Sequence, residues 1–568
     1  MSNYRTFYSF LKLMAVFTAC ISVCPQEALA QTGSLAASAS PRVAGNSSRQ
    51  PTRESETKSG ITVLGSAPTT VEEATLFSMD NISIPFTTNL VLSMEPVDKH
   101  QDNPLLRRGE SGDPDEWGVQ CYGSVIYHEG KYKLWYLALN EEDMRNMPND
   151  VHYKGGQLAY AESEDGIDWE KPNLGLVEWN GNKNNNLLLM DPSTAHGLDC
   201  RVIYEPDDPD PARRFKMVFH MGARFDGRPA GAPIPFFSAD GLRWKIAIDA
   251  KLENYTVASD ETAIPPEHFE MGGLYKWNGM YHLMGQQVTP FMWLPDGTDC
   301  GRVLTIFRSP DFVNWSRTKT LSFVRDGTRG EYRSRLGNEG AQVHQSSTWD
   351  RGNVLVSTYG LWNGGVGWEN VTIDLGLLLS NDGLYFREPI PDHIFIERGE
   401  DGEWDQGGLL MSQAFENIGE KTFIYYGHWD PRTGQDYKPR GGLGLVTLDR
   451  DRFSSLSVMN PEKEAAFITC ALKVDEPSDL FFNATGLSED AWVKVELLDE
   501  LERPIPAYSG ENAARLDSNG FRQHVSWQGN EGIEGSSKPV KIQATYQGED
   551  KKAIKIHALY VSKRDNAK

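Results

Sequence analysis

Cysteine is scarce in this chain of 568 residues, which has only six. Two of them, Cys20 and Cys24, lie in the apolar N-terminal stretch. The other four, Cys121, Cys200, Cys300 and Cys470, stand far apart. Because no Cys-x-x-Cys pair occurs, the sequence excludes a zinc knuckle and a dithiol redox motif. One or two disulfides and isolated buried thiols remain open alternatives for the four distant cysteines.

Positive charge is also in deficit. The chain has 56 Lys and Arg against 79 Asp and Glu, which gives a formal net charge of −23 at pH 7. Nucleic acids and anionic membrane surfaces attract proteins with an excess of Lys and Arg. We therefore expect neither as a partner, and an anionic substrate would need a local basic pocket.

Long apolar runs are missing after the first 30 residues. The apolar run over 13–23 follows basic residues and precedes Ala28-Leu29-Ala30, a small-residue cleavage site. Residues 1–30 are therefore predicted to be an export signal, and the chain to be secreted or periplasmic. The alternative is a lipoprotein signal in which Cys20 carries the lipid. No other segment approaches the roughly 20 apolar residues of a membrane-spanning helix.

Several catalytic and cofactor motifs are absent as well. The chain has no HExxH, no nucleophile elbow, no P-loop and no complete dinucleotide fingerprint. The sequence therefore predicts no metal and no cofactor.

Residues 31–80 are rich in Ser, Ala, Gly, Thr and Pro over most of their length. Such a composition buries too little apolar surface to offset chain entropy, which predicts a flexible linker. The rest divides into a repetitive part over 81–455 and a C-terminal part over 456–568.

An internal repeat dominates the region 81–455. Four copies of a Ser-x-Asp-Gly-like turn followed by an aromatic residue begin at Ser163, Ser238, Ser309 and Ser380, and a degenerate fifth copy spans 449–453. The central Asp recurs at 165, 240, 311, 382 and 451, in steps of 75, 71, 71 and 69 residues. Asp and Ser side chains cap such turns by hydrogen bonds to the main chain, so we interpret these copies as structural.

Each repeat unit also has the pattern of four strands. A hairpin with a turn at Glu129-Gly130 opens the first unit, a third strand precedes each Ser-x-Asp-Gly-like turn, and a fourth follows it. Four strands repeated five times predict an all-β fold, a five-bladed β-propeller over 81–455. Alternating strands such as 492–498 and 540–546 predict an antiparallel β-sandwich over 456–568.

In a propeller, the residues just before each innermost strand converge on one rim of the central channel. These are Asp115, Glu116 and Trp117, then Asp199 and Arg201, Glu267 and Glu270, Glu339, Gln342 and His344, and finally Trp404 and Asp405. Cleavage of a glycosidic bond needs an acid for the leaving oxygen and a carboxylate that activates water or attacks the sugar. Carboxylates beside Trp, Arg and His therefore indicate a glycoside hydrolase with a carbohydrate substrate.

The segment over 270–283, Glu-Met-Gly-Gly-Leu-Tyr-Lys-Trp-Asn-Gly-Met-Tyr-His-Leu, resembles the third-blade strand of five-bladed propeller glycoside hydrolases. These are the families 32 and 43 of arabinanases, xylosidases, levanases and invertases. The resemblance implies that Glu270 is the general acid and that Asp199 is the carboxylate that orients substrate and modulates the pKa of the acid.

The first unit departs from that family pattern. The families place an Asp base or nucleophile just before the first strand, where this chain has Cys121-Tyr122-Gly123-Ser124. Glu116 and Asp405 are the candidates for the third carboxylate. The remaining predicted substrate contacts are Trp117, Arg201, Glu339, His344 and Trp404.

Two other functions remain open. A glycoside phosphorylase of the same fold would use arginines such as Arg201, Arg302, Arg333 and Arg335 to bind phosphate. A secreted propeller that binds carbohydrate without cleaving it is the second alternative. The sequence leaves the sugar, the linkage and the oligomeric state open.

Overall fold

A computed structural model describes residues 60–141, 155–193, 195–225, 228–248, 252–253, 256–258, 264, 269–287, 302–325, 340–365, 367–433 and 440–564. The expected signal over 1–30 lies outside the described residues. Strands make up nearly all the regular structure, which confirms the all-β prediction. The 3₁₀ turns are Pro211–Arg213, Pro431–Thr433, Pro506–Tyr508, Gly510–Asn512 and Lys551–Ala553.

Six strands precede the repeats: β1 (Ile61–Leu64), β2 (Thr69–Val71), β3 (Glu73–Phe77), β4 (Phe86–Thr88), β5 (Leu90–Met94) and β6 (Asp98–Lys99). The first repeat contains β7 (Gly118–His128), β8 (Lys131–Leu139) and β9 (Gln157–Ser163). The second contains β10 (Leu189–Asp191), β11 (Gly197–Tyr204), β12 (Phe215–Phe225), β13 (Arg228–Ser238), β14 (Arg243–Ile246), β15 (Leu252–Glu253) and β16 (Thr256–Ala258).

The third repeat contains β17 (Phe269–Trp277), β18 (Met280–Gln287), β19 (Val303–Ser309) and β20 (Ser316–Phe323). The fourth contains β21 (Gly340–Ser346), β22 (Trp349–Asp350), β23 (Leu355–Gly365) and β24 (Gly367–Ser380). The fifth contains β25 (Leu409–Ile418), β26 (Lys421–His428), β27 (Arg440–Gly441) and β28 (Gly444–Asp449).

The C-terminal strands are β29 (Ser454–Val458), β30 (Ala465–Ile468), β31 (Ala471–Val474), β32 (Ser478–Thr485), β33 (Trp492–Asp499), β34 (Ala514–Leu516), β35 (Gly520–Val525), β36 (Ser536–Gln547) and β37 (Lys555–Lys563).

Each repeat folds into a mainly antiparallel sheet, and we number these sheets I to V in chain order. The inner strand of each sheet, meaning its first long strand, is β7, β11, β17, β21 and β25 respectively. Neighbouring inner strands lie beside one another in that order from β7 to β21. Sheet V meets sheet I through β25 and β7, whose one backbone pairing joins Gln413 and Ser124. The short strand β6 pairs with β28 at the outer edge of sheet V.

The Ser-x-Asp-Gly turns have the structural role expected of them. In sheet II, the Ser238 hydroxyl accepts from the Gly241 N–H at 2.9 Å, and Asp240 Oδ1 accepts from the N–H groups of Leu242 and Arg243 at 2.8 and 2.9 Å. Gly241 has φ +75°, a conformation that favours glycine. The turn is thus closed by its own side chains.

Each turn also ties its sheet to the preceding one. The five bonds are Trp135 Nε1 to Gly241 O (2.7 Å), Arg213 Nη2 to Asp311 O (2.8 Å), Tyr275 Oη to Gly383 O (2.7 Å), Arg351 Nη2 to Asp451 Oδ2 (3.0 Å) and Tyr425 Oη to Gly166 O (2.7 Å). The last bond runs from sheet V to sheet I. These bonds therefore connect each of sheets I to IV to the next sheet and sheet V to sheet I.

All five inner strands carry a β-bulge, near the N-terminal end in β7, β11, β17 and β25 and at the C-terminal end in β21. The register shifts lie between Gln120 and Ser124, Gly197 and Cys200, Met271 and Leu274, His344 and Ser346, and Met411 and Phe415. Bulges bend a strand and redirect its side chains, and they are over-represented next to active sites. Each inner strand thus has a point at which its side chains leave the regular alternation.

The two sheets built from the C-terminal strands also contain residues from before the repeats. Strand β1 pairs with β31, β3 with β37, β4 with β30 and β5 with β29. Ile61, Val63 and Leu76 are buried in the core that these two sheets share. The flexible linker predicted over 31–80 thus differs from the structure at residues 61–77, because their apolar side chains pack in this core. The N-terminal boundary predicted for the repetitive part, residue 81, also lies between two of these strands, β3 and β4.

Cys121, Cys200 and Cys470 are free and buried, so no disulfide joins the three described cysteines. Cys300 lies outside the described residues. Burial raises the pKa of the Cys200 thiol to about 12, which keeps it protonated. Among the described residues, no helix has the length and apolar character needed to cross a membrane.

Candidate functional site

Asp199 and Glu270 lie on the neighbouring inner strands β11 and β17, close enough for their charges to interact. Asp199 is within the bulge of β11 and is fully buried, and Glu270 is the second residue of β17 and is partly exposed. Glu270 Oε2 accepts from the Gln286 amide at 3.0 Å, and Asp199 Oδ2 accepts from the Gln345 amide at 3.5 Å. His220 Nδ1 lies 3.6 Å from Asp199 Oδ1. Two carboxyls, each held by one glutamine, form what we call the inner cluster.

The inner cluster holds a proton at neutral pH. Burial raises the pKa of the Asp199 carboxyl to about 8, and the negative charge of Glu270 adds to the rise. The Arg201 guanidinium and the hydrogen bond from Gln345 oppose it. Because Asp199 is shielded from solvent, Glu270 is the carboxyl of the two that a ligand can touch.

His344 lies on β21, the inner strand of sheet IV. Burial and the charge of Arg302 lower the pKa of the His344 imidazole to about 3, so the ring is neutral. Its Nε2 lies 3.4 Å from the hydroxyl of Tyr122, and its ring lies beside Trp362 and Trp429. A neutral imidazole among aromatic rings suits hydrogen bonding and does not supply charge.

Arg201 is placed differently from the substrate contact that the sequence indicates. Its guanidinium is fully buried and donates to the carbonyl oxygens of Tyr122, Cys200 and Met411. These carbonyls belong to β7, β11 and β25. These hydrogen bonds from Arg201 therefore connect three inner strands.

A second group of predicted residues lines a cavity of about 910 Å³ beside the ends of sheets I and V. Glu116, Trp117 and Trp404 all contribute to its wall, together with His428 and the exposed Arg107 and Arg108. Trp404 stacks on Tyr426 with 5.6 Å between ring centroids. Gln120, four residues after Glu116, donates to the carbonyl oxygen of Leu198 next to Asp199. The cavity and the inner cluster thus share the same end of β7.

Asp405 is engaged in the protein interior. Its Oδ2 accepts from Lys99 Nζ at 2.7 Å and from the Tyr426 hydroxyl at 2.9 Å. Asp115 has the same environment in sheet I, where Oδ2 lies 2.6 Å from Lys171 Nζ and accepts from the Tyr136 hydroxyl at 2.8 Å. The two aspartates are structural equivalents. This favours a structural role for Asp405 over the role of catalytic base.

This equivalence extends to two whole loops, 109–116 and 399–406, which we call the twin loops. Gly112 and Gly402 have φ near +100° in both, and their N–H groups donate to Glu116 Oε2 and Gln406 Oε1 respectively. The motif Gly-Glu-x-Gly opens each loop and is the sequence signal that could have revealed the pair. Glu116 therefore occupies a position that a glutamine fills in the twin.

Glu339 lies outside the described residues, as do Glu267, Arg333 and Arg335. Gln286 and Gln345 are site residues that the rim positions did not predict, since one is on a second strand and the other is inside a bulge. Among the residues that the structure describes, no cluster of His, Cys, Asp and Glu is arranged to hold a metal ion.

No protein-family model matches the chain, and no curated protein matches it. It is similar to a solved structure described as belonging to the GH130 family of mannoside phosphorylases, which contains glycoside hydrolases that target β-1,2 mannosidic linkages in Candida mannan. That match has 15% identity and a TM-score of 0.39 and covers 62% of this chain and 94% of the other.

It is also similar to an N-acetylgalactosamine deacetylase from F. plautii in complex with blood group B trisaccharide (14% identity, TM-score 0.39, 63% and 96% covered). A third similar structure is the Bombyx mori GH32 β-fructofuranosidase BmSUC1 (12% identity, TM-score 0.36, 81% and 95% covered). Glycoside hydrolases are thus among the solved structures to which the chain is similar.

Proposed function

We propose that this chain is an exported glycoside hydrolase whose five sheets are the blades of a β-propeller, followed by a β-sandwich. The cyclic order of sheets I to V and the bulge on every inner strand support the propeller. Two sheets around one core, built from 61–94 and 454–563, support the sandwich.

The observation that carries the proposed activity is the Asp199–Glu270 pair. Burial and the neighbouring charge leave a proton on the pair at neutral pH, and Glu270 presents the pair to the open side. A general acid needs its proton near the working pH and needs to reach the leaving oxygen. Glu270 is therefore the proposed acid: it takes the proton of the pair from buried Asp199 and passes it to the leaving oxygen, which leaves Asp199 ionised until a proton returns.

Glu116 is the proposed second carboxylate. It lines the cavity between Trp117 and Trp404, whose rings suit the apolar faces of sugars, whereas Asp405 is neutralised by Lys99. Glu116 accepts from the Gly112 N–H and the Asn140 amide, which hold its carboxyl in place. An ionised carboxylate is the group that activates water or attacks the sugar.

The exported protein should release reducing sugar from at least one member of a panel of oligosaccharides, and it should do so without inorganic phosphate. Water is the acceptor in the proposed hydrolysis, and both terminal nitrogens of the Arg201 guanidinium donate to main-chain carbonyls. Reducing ends and sugar phosphates are measured with and without phosphate. Release of sugar 1-phosphate that depends on phosphate would show a phosphorylase, and binding without release would show a binding protein.

Glu116→Gln should retain the fold and lower turnover by roughly 10²-fold or more. The twin loop already holds Gln406 at this position, so the glutamine still accepts from the Gly112 N–H. Turnover and thermal melting are measured beside Glu400→Gln, an exposed change in the twin loop that should alter neither. Full turnover in Glu116→Gln would place the second carboxylate elsewhere.

A further inference from the structure

Gln345 has a backbone conformation that side chains other than glycine seldom adopt. Its φ is +47°, and it is the residue that the bulge of β21 leaves out of register, between His344 and Ser346. Its side chain is 1% exposed. Strained, buried residues of this kind cluster at functional sites, where the surrounding structure holds them in place.

The side chain of Gln345 reaches across from sheet IV to sheet II. Its Nε2 lies 3.5 Å from Asp199 Oδ2, while its Oε1 has no hydrogen-bond partner within the described part of the chain. Gln286 makes the corresponding contact with Glu270. The Gln286 amide donates to the Glu270 carboxyl at 3.0 Å, and Gln286 Oε1 also has no hydrogen-bond partner within the described part of the chain. Each carboxyl of the inner cluster is thus held by one buried amide.

We propose that Gln345 is a positioning residue, whose amide is held by the strained bulge so that it donates to Asp199 and fixes the carboxyl that faces Glu270. The inference rests on the proposed function, because it assigns Gln345 to the acid pair of that reaction. Gln345 acts through Asp199, and Glu270 remains the group that faces the substrate.

The groups around Asp199 determine the direction of the effect. Arg201 and Cys200 flank it on β11, His220 faces it from β12, Glu270 from β17 and Gln345 from β21. A hydrogen bond donated to a carboxylate favours its ionised form. Loss of the Gln345 amide should therefore raise the pKa of Asp199 further and keep the shared proton on the pair to higher pH.

The first test is the pH dependence of kcat/KM in Gln345→Leu. The alkaline limb, where the pair loses its proton, should move up by roughly half to one pH unit. The matched control is Gln413→Leu, because Gln413 lies in the bulge of β25 but accepts from the main-chain N–H of Leu274 at 2.7 Å. The control should lower the melting temperature and leave the limb in place. An alkaline limb that stays or moves down in Gln345→Leu would overturn the proposal.

The second test needs no substrate. Because the pKa of Asp199 in the folded protein, about 8, lies above its value of 3.8 in the unfolded chain, stability should fall as pH rises between those values. In Gln345→Leu the fall should continue to higher pH, and in the Asp199→Asn background the same change should have an effect independent of pH. Denaturant unfolding from pH 4 to 9 measures both.

The two readouts separate the inference from the proposed function. Coupling between Gln345 and Asp199 in unfolding, with no glycoside cleaved, would support the positioning contact and refute the hydrolase. An effect of Gln345→Leu that is the same in both backgrounds at every pH would overturn the inference even if glycosides are cleaved. Should Gln345→Leu fail to fold, Gln345→Gly removes the amide and suits the positive φ, and the same outcomes apply.

Discussion

Glu270→Gln is expected to lower the turnover of unactivated glycosides by roughly 10²- to 10⁴-fold, which is the usual contribution of a general acid. The glutamine is close in shape to glutamate and still accepts from the Gln286 amide, so the melting temperature should hardly change. Asp199 would keep its proton but lie out of reach of the leaving oxygen. Substrates with a good leaving group should recover part of the activity, since they need less protonation.

Turnover is measured with a natural glycoside and with an aryl glycoside, beside Glu416→Gln as the matched control. Glu416 is also on an inner strand, and burial raises its pKa to about 7, but it lies at the opposite end of β25 and accepts from the Tyr127 N–H. The control should keep turnover with both substrates. Equal activity of Glu270→Gln and the unmodified protein would remove Glu270 from the role of acid.

Asp405→Ala is expected to destabilise the fold by about 2–4 kcal/mol and to leave turnover per folded molecule unchanged. The change leaves the Tyr426 hydroxyl buried without its acceptor and Lys99 without its counterion. Lys99 is 34% exposed, so water recovers part of the loss and keeps the cost below that of a fully buried pair.

The twin loops supply the control for this prediction. Asp115→Ala removes the same kind of contact with Tyr136 and Lys171, so the two variants should lose similar stability in denaturant unfolding. Turnover is compared at a temperature where both are folded. Asp405 would be the catalytic carboxylate if Asp405→Ala kept its stability and lost its turnover, while Asp115→Ala lost stability and kept its turnover.

The repeat could be predicted from the sequence because the residues that close each turn lie close together along the chain. Ser238, Asp240 and Gly241 close their turn within six residues, and the same spacing at 163–166 and 380–383 sets the period. The copy at Asp311 keeps the side-chain bonds although Phe312 replaces glycine with φ +70°. Turn chemistry of this kind depends on near neighbours and so survives in the amino-acid pattern.

The bulges could not be predicted, because a bulged strand and a regular strand have nearly the same composition. Asp199 and Gln345 gain their positions from one-residue shifts against neighbouring strands. Alternation predicts which face a residue takes only while the register is regular. The position of Asp199 in the inner cluster was anticipated through the family resemblance, whereas Gln345 had no signal in the sequence.

The linker prediction fails at residues 61–77 because composition averages over a window. Serine and threonine dominate the preceding stretch, yet Ile61 and Val63 alternate as buried residues of a strand. Their partners are Val474 and Leu472, more than 400 residues away along the chain. No local pattern indicates such a pairing.

That pairing has a consequence for the order in which the molecule forms. Loop closure over hundreds of residues is entropically costly and slow, so β3 and β5 remain without partners, and β1 has only β2, until the C-terminal strands are available. The two sheets that they belong to are completed only after synthesis has reached the C-terminus. A chain that crosses a membrane unfolded gains from this delay, because its first strands cannot fold prematurely on their own. Until the C-terminal strands arrive, the edges of these first strands are open to any folding chaperone that the chain meets.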